Sequence, residues 1–160
     1  MPSYRSGFWT AAAIIALALW GSAAPTILYP LYSQDWAIGT TETGLLFAVY
    51  PAVLVVVLLV LGNLSDTLGR RRIILIGLAA LIGGELMFAL ADGFAWAIGG
   101  RALMAAGVGL SLSPATALLV TFAGRGGAAR ASTVATIATA VGVALSTVLG
   151  GAVVEFVPFP

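Results

Sequence analysis

The chain has 160 residues, 61% of them hydrophobic and 8% charged, with a mean hydropathy of +1.10 and a formal net charge of +1. A soluble globular domain carries about 25% charged residues, so water is excluded as the main solvent. Histidine and cysteine are absent, which excludes disulfides, thiolate and imidazole metal sites, cysteine nucleophiles and a histidine general base; no metal site, cofactor or catalytic set is expected, and nothing in this charge points to nucleic acid.

Residues 1–7 carry one arginine, Arg5. The apolar run behind them, Phe8–Tyr32, exceeds the roughly 7–15 residues of a signal-peptide core and reads as a retained first span. A hydrocarbon core of about 30 Å needs roughly 20 helical residues at about 1.5 Å each. Four further runs meet that length, at about Thr43–Gly62, Ile73–Ala91, Phe94–Ala123 and Ala131–Val154. None shows the polar face that a surface helix of a soluble protein carries. The expectation is an all-α membrane protein, one domain over residues 1–160, with the lipid bilayer as its first partner. Pro25, Pro51 and Pro114 fall inside spans, where each removes a helix hydrogen bond and predicts a kinked helix packed among others.

The connections sort by charge. Arg5, Arg70–Arg72, Arg125 and Arg130 fall on one side of the predicted spans, and Asp35, Glu42, Asp92 and Glu155 on the other. Arginine-rich loops stay cytoplasmic. A multi-pass protein of the cell (plasma or inner) membrane is expected, amino terminus inside and carboxyl terminus outside. Trp9, Trp36, Phe94 and Trp96 lie near span ends, where amphipathic rings favour the headgroup level.

The connection between the second and third spans reads Gly62-Asn63-Leu64-Ser65-Asp66-Thr67-Leu68-Gly69-Arg70-Arg71-Arg72. Glycines permit tight turns there, a carboxylate complements a helix amino terminus or a cation, and an arginine cluster binds anionic lipid or a facing carboxylate. This loop resembles the signature of the major facilitator superfamily, with Gly62, Leu64, Asp66, Gly69 and Arg70–Arg72 matching and Thr67 standing where a basic residue is common. The resemblance implies an incomplete amino-terminal six-helix half of a transporter. In it, this loop is a cytoplasmic latch whose carboxylate faces the second half.

In the fourth span, Gly100–Gly109 resembles the family's motif of an arginine followed by small residues, through Arg101 and Gly107. An arginine within a span costs about 2.5 kcal/mol or more, so it should face the bundle interior with a partner. Glu85 and Arg101 each lie eight residues from position 93, which places both about 12 Å below the turn and predicts a Glu85–Arg101 pair. It is a structural salt bridge first, with proton coupling or substrate contact as its alternative uses. In the fifth span Ala138, Gly142, Ser146 and Gly150 recur every fourth residue and predict a close-packing seam, widened by Gly151. The same stretch resembles the antiporter motif of drug-exporting members, with Ser146 and Thr147 in place of its Gly-Pro pair.

The resemblance implies secondary transport of a small solute, as efflux coupled to protons. The remaining half, or another membrane subunit, is the implied partner, and this chain alone is expected not to transport. The alternative is a truncated structural or interaction membrane protein. A membrane enzyme is disfavoured: Gly109-Leu110-Ser111-Leu112-Ser113 faintly resembles a serine-protease motif, but no histidine exists to activate a serine.

Overall fold

Lipid offers a backbone no hydrogen-bond partners, so a spanning segment must satisfy its own peptide groups as a helix or join a closed barrel. This chain takes the first course. A computed structural model describes residues 4–30, 32, 36–62, 64–124 and 127–156. The helices are α1 (Tyr4–Ala23), α2 (Thr40–Leu61), the short α3 (Leu64–Leu68), α4 (Arg70–Ala89), α5 (Phe94–Phe122) and α6 (Gly127–Phe156), with no strand among the described residues. Among the described residues, five segments are long and apolar enough to cross a bilayer: Tyr4–Leu28, Thr40–Leu61, Arg70–Ala89, Phe94–Phe122 and Gly127–Glu155.

Four of these helices begin several residues before their apolar runs. The additional turns hold Tyr4–Gly7, Thr40–Glu42, Arg70–Arg72 and Gly127–Arg130. Helical hydrogen bonding is local and continues through the headgroup layer, whereas hydropathy registers only the hydrocarbon. The first span ends differently from its hydrophobic run. Pro25 has no N–H to continue the α ladder, and Ala24–Leu28 tighten into a 3₁₀ turn. Pro51 and Pro114 are accommodated within α2 and α5.

The centre of the bundle is α5, which packs on α4, α1, α2 and α6. Half of its most apolar window is buried, against 11% for α2. Phe8, Ala11, Ala12 and Ile15 of α1 meet Ala115 and Leu119 of α5 and Ala131 and Ala138 of α6 in one apolar cluster. A second joins Ala18 and Tyr29 to Leu46, Leu81, Phe88, Met104 and Val108. Alanine dominates the first cluster because helices in lipid associate through close backbone approach rather than through expulsion of water.

The α4–α5 hairpin is the tightest contact. A methyl group built at Gly107 would stand 2.5 Å from both the Gly77 carbonyl and the Leu81 nitrogen, and one at Gly84 would stand 2.8 Å from the Gly100 carbonyl. Gly77 with Gly107, and Gly84 with Gly100, thus fix the antiparallel register. The charge connection before α4 is equally specific. Gly69 sits at φ 89°, a left-handed conformation costing other residues about 1–2 kcal/mol. Its carbonyl accepts from Arg72 and Ile73, starting α4, while its N–H donates to Ser65 of α3.

Candidate functional site

The most unusual group in the bundle is Arg101. It is 3% exposed, seven residues into α5 and therefore about 10 Å inside the helix end. The glycine register turns it towards α1 and α2. One guanidinium nitrogen, Nη1, donates to the Ser22 carbonyl at 3.0 Å and lies 4.0 Å from the Met104 sulfur. The guanidinium carbon stands 4.6 Å from the ring centroid of Tyr50 and 5.7 Å from that of Tyr29. Aromatic faces are negative, so two rings stabilise a desolvated cation by about 1 kcal/mol or more. The buried Nε has no partner among the described residues.

Tyr29 is itself fixed, and Tyr32, on the next turn, is held in the same way. The Tyr29 hydroxyl donates to the Leu46 carbonyl at 3.2 Å, and its ring packs edge-on against Phe47 at 4.6 Å. Tyr32 donates from its hydroxyl to the Phe88 carbonyl at 3.2 Å and stacks on Trp36 at 4.3 Å. Trp36, expected at the headgroup level, is thus part of an aromatic layer tying the end of the first span to α2 and α4. Tyr29 and Tyr50, the rings against Arg101, are what the sequence analysis did not single out. A tyrosine close after the helix-breaking Pro25, and another just before Pro51, were the available signals.

Glu85 and Arg101 lie at nearly the same depth on one side of the hairpin, and each senses the other's charge. No ion pair within 4.0 Å joins them among the described residues. The two side chains instead end on consecutive residues of α1. Glu85 is half-buried with its Oε1 packed against Gly21, while Arg101 bonds Ser22. The expected direct salt bridge is therefore corrected to two separate contacts with the first span. Depth follows from spacing along a hairpin; contact depends on where α1 sits against it.

The other predicted residues are distributed as follows. In the connection between spans, Leu64 and Ser65 lie on α3 and Gly69–Arg70 at the start of α4; Arg70 Nη1 donates to Thr121 Oγ1 at 3.2 Å, joining the two ends of the hairpin. Arg71 and Arg72 are exposed. The side chain of Asp66 lies outside the described structure, as do Asp35 and Arg125. Arg130 places its guanidinium 4.8 Å from the Phe8 ring centroid.

On α6, a methyl at Gly142 would strike the Ala16 carbonyl of α1, and one at Gly150 would strike Ile27. Ala138 and Ser146 are buried on the same row. Gly151 is exposed and a methyl there would meet nothing within 4 Å, so it stands outside this row rather than widening it. Ser111 spends its hydroxyl on the Gly107 and Val108 carbonyls, at 2.8 and 3.3 Å. It is bound as a helix-surface donor, not poised as a nucleophile.

Comparison with known proteins agrees with this architecture. The chain is 33% identical over 153 residues to the multidrug efflux pump LfrA of Mycolicibacterium smegmatis (strain ATCC 700084 / mc(2)155), an alignment covering 92% of this chain and 30% of that protein. The chain thus spans about a third of the length of that relative. The family model described as Major Facilitator Superfamily matches residues 4–160. On that match, and on five apolar helices with the glycine–carboxylate–arginine connection between the second and third, the chain belongs to the major facilitator superfamily.

Proposed function

We propose that the chain is the amino-terminal part of a secondary transporter that exports a small solute in exchange for protons, and that it does not transport alone. The observation that carries this is Arg101, a cation buried between two tyrosine rings inside a membrane span. Intramembrane charges are expensive and mark solute or ion pathways. The efflux reading draws on the resemblance to a multidrug efflux pump. Arg101 and Glu85 are the charges through which coupling would act. Gly62, Leu64, Asp66, Gly69 and Arg70–Arg72 would form a cytoplasmic latch against the second half. The row Ala138, Gly142, Ser146 and Gly150 would hold α6 against α1. In this reading the protein is no enzyme, resides in the cell membrane with its amino terminus in the cytoplasm, and needs the remaining helices of the transporter as its partner.

Proteoliposomes test this. The chain alone should take up no ethidium under an imposed pH gradient, and uptake by the chain alone would overturn that part. Joined to the remaining helices, it should do so, and Arg101→Lys should lower the rate about tenfold, a loss of about 1.4 kcal/mol, because a point-charge ammonium does not reproduce a planar guanidinium between rings. An unchanged rate in Arg101→Lys would remove Arg101 from the pathway.

A further inference from the structure

The first span changes its pairing where Pro25 falls, and the change takes backbone donors away from two carbonyls. Up to Ala23 each N–H pairs with the carbonyl four residues back, and over Ala24–Leu28 with the carbonyl three back. The N–H of residue 25 would serve Gly21 in the first scheme and Ser22 in the second, but proline has none. Thr26, which would serve Ser22 in an uninterrupted α-helix, is turned to Ala23, whose carbonyl accepts the Thr26 hydroxyl at 2.7 Å. A carbonyl left bare inside a bilayer is costly. Arg101 supplies a donor from another helix. Its Nη1 donates to the Ser22 carbonyl at 3.0 Å on one side of the turn. On the other side its guanidinium carbon stands 5.7 Å from the ring centroid of Tyr29, whose hydroxyl is tied to the Leu46 carbonyl of α2.

We propose that Arg101 is a clamp on this break: from α5 it holds the tightened turn of the first span at both ends, so that Pro25 marks a hinge locked while the guanidinium stays on Ser22. A contact made only to bury charge would find most carbonyls of α1 already paired along the helix. The carbonyl that Arg101 meets is one that Pro25 strips. A guanidinium suits the task because its several N–H donors leave one for the carbonyl while the charge rests against the rings of Tyr29 and Tyr50. Arg101 is 3% exposed and Pro25 is buried, so the clamp joins interior groups of α1 and α5. It stands apart from whether the chain transports. A carboxylate or solute that drew the guanidinium off Ser22 would free the segment beyond Pro25, with Tyr29, to turn about the break.

Two measurements on the full chain in phosphatidylcholine nanodiscs test the clamp. Ser22 is the only serine followed by alanine, so carbon-13 in serine carbonyls and nitrogen-15 in alanine isolate the Ser22 carbonyl as one NMR cross-peak. Arg101→Met should move that carbon upfield, as loss of a hydrogen bond does. It should also speed amide hydrogen exchange over residues 26–29 by about tenfold or more, the scale of one lost bond to a charged donor. Exchange over Ala131–Ala138 of α6 should stay as in the unaltered chain. Adding Pro25→Ala to Arg101→Met should recover both signals, because alanine restores the N–H and lets the α ladder run through Ser22. Where Arg101→Met alone does not fold, the same rescue is read as recovered helical circular dichroism in the double variant. An unmoved Ser22 carbon in Arg101→Met overturns the clamp. So does equal acceleration over residues 26–29 and 131–138, which is general loosening, or a double variant that exchanges or unfolds as Arg101→Met does.

Discussion

Individual polar atoms show how strongly a low-dielectric interior punishes an unmade bond. Ser146 is 1% exposed and its hydroxyl has no partner among the described residues. A buried unsatisfied donor costs about 1–3 kcal/mol, so Ser146→Ala should raise the thermal midpoint of the chain in detergent, by the equivalent of about 1 kcal/mol at the low end of that range. A lowered midpoint would mean that the hydroxyl is used. Thr147, its neighbour, differs: its hydroxyl is spent on the Val143 carbonyl at 3.0 Å. The same residue-by-residue logic separates Arg101 from the arginines of the connection. Arg101 must be solvated by carbonyl and ring faces, whereas Arg71 and Arg72 are exposed and need no protein partner.

Among the elements, the α4–α5 hairpin is determined by glycine rather than by large side chains. Gly77, Gly84, Gly100 and Gly107 form two facing pairs, each pair seven residues from the next along its helix. A seven-residue repeat keeps one face of an α-helix towards its partner over successive turns. Gly107→Leu should therefore force the helices apart and destabilise the chain by about 1–3 kcal/mol. Gly83→Ala is the control: a methyl there would first meet Leu103 at 3.6 Å, an ordinary contact, and replacing a mid-helix glycine should be neutral or stabilise by up to about 1 kcal/mol. Thermal unfolding of both variants checks the pair, and equal midpoints would refute the glycine register. The α6 row works by the same close approach, through Gly142 against the Ala16 carbonyl. Its four-residue spacing was legible in the sequence; the seven-residue spacing across two spans was equally present there, and becomes meaningful only once the hairpin register is known.

For the whole molecule, orientation is the open physical consequence of its charges. The chain contains no cysteine, so single cysteines report topology cleanly. A membrane-impermeant maleimide should label Asp92→Cys in intact cells and Thr67→Cys only after permeabilisation, because arginine-rich connections are retained on the cytoplasmic side. The reverse pattern would invert the proposed topology.

What the sequence determined is what depends on local rules. Length and hydropathy decide which segments cross lipid, because a helix satisfies its own backbone wherever it lies. Pro25 marks a break and Gly69 a left-handed turn for reasons contained in those residues alone. The family signature is likewise a contiguous string. Helix ends were less legible, since hydropathy stops at the hydrocarbon while α4 and α6 continue through their arginine-bearing turns. Only the tertiary structure decided where side chains at equal depth point. Spacing put Glu85 and Arg101 about 12 Å below the same turn, but the rotation of α4 against α5 and the position of α1 sent one to Gly21 and the other to Ser22. That choice divides the intramembrane charges into an arginine set against two aromatic rings and a half-buried carboxylate against Gly21, because rotation about a helix axis is fixed by neighbours and not by the helix itself.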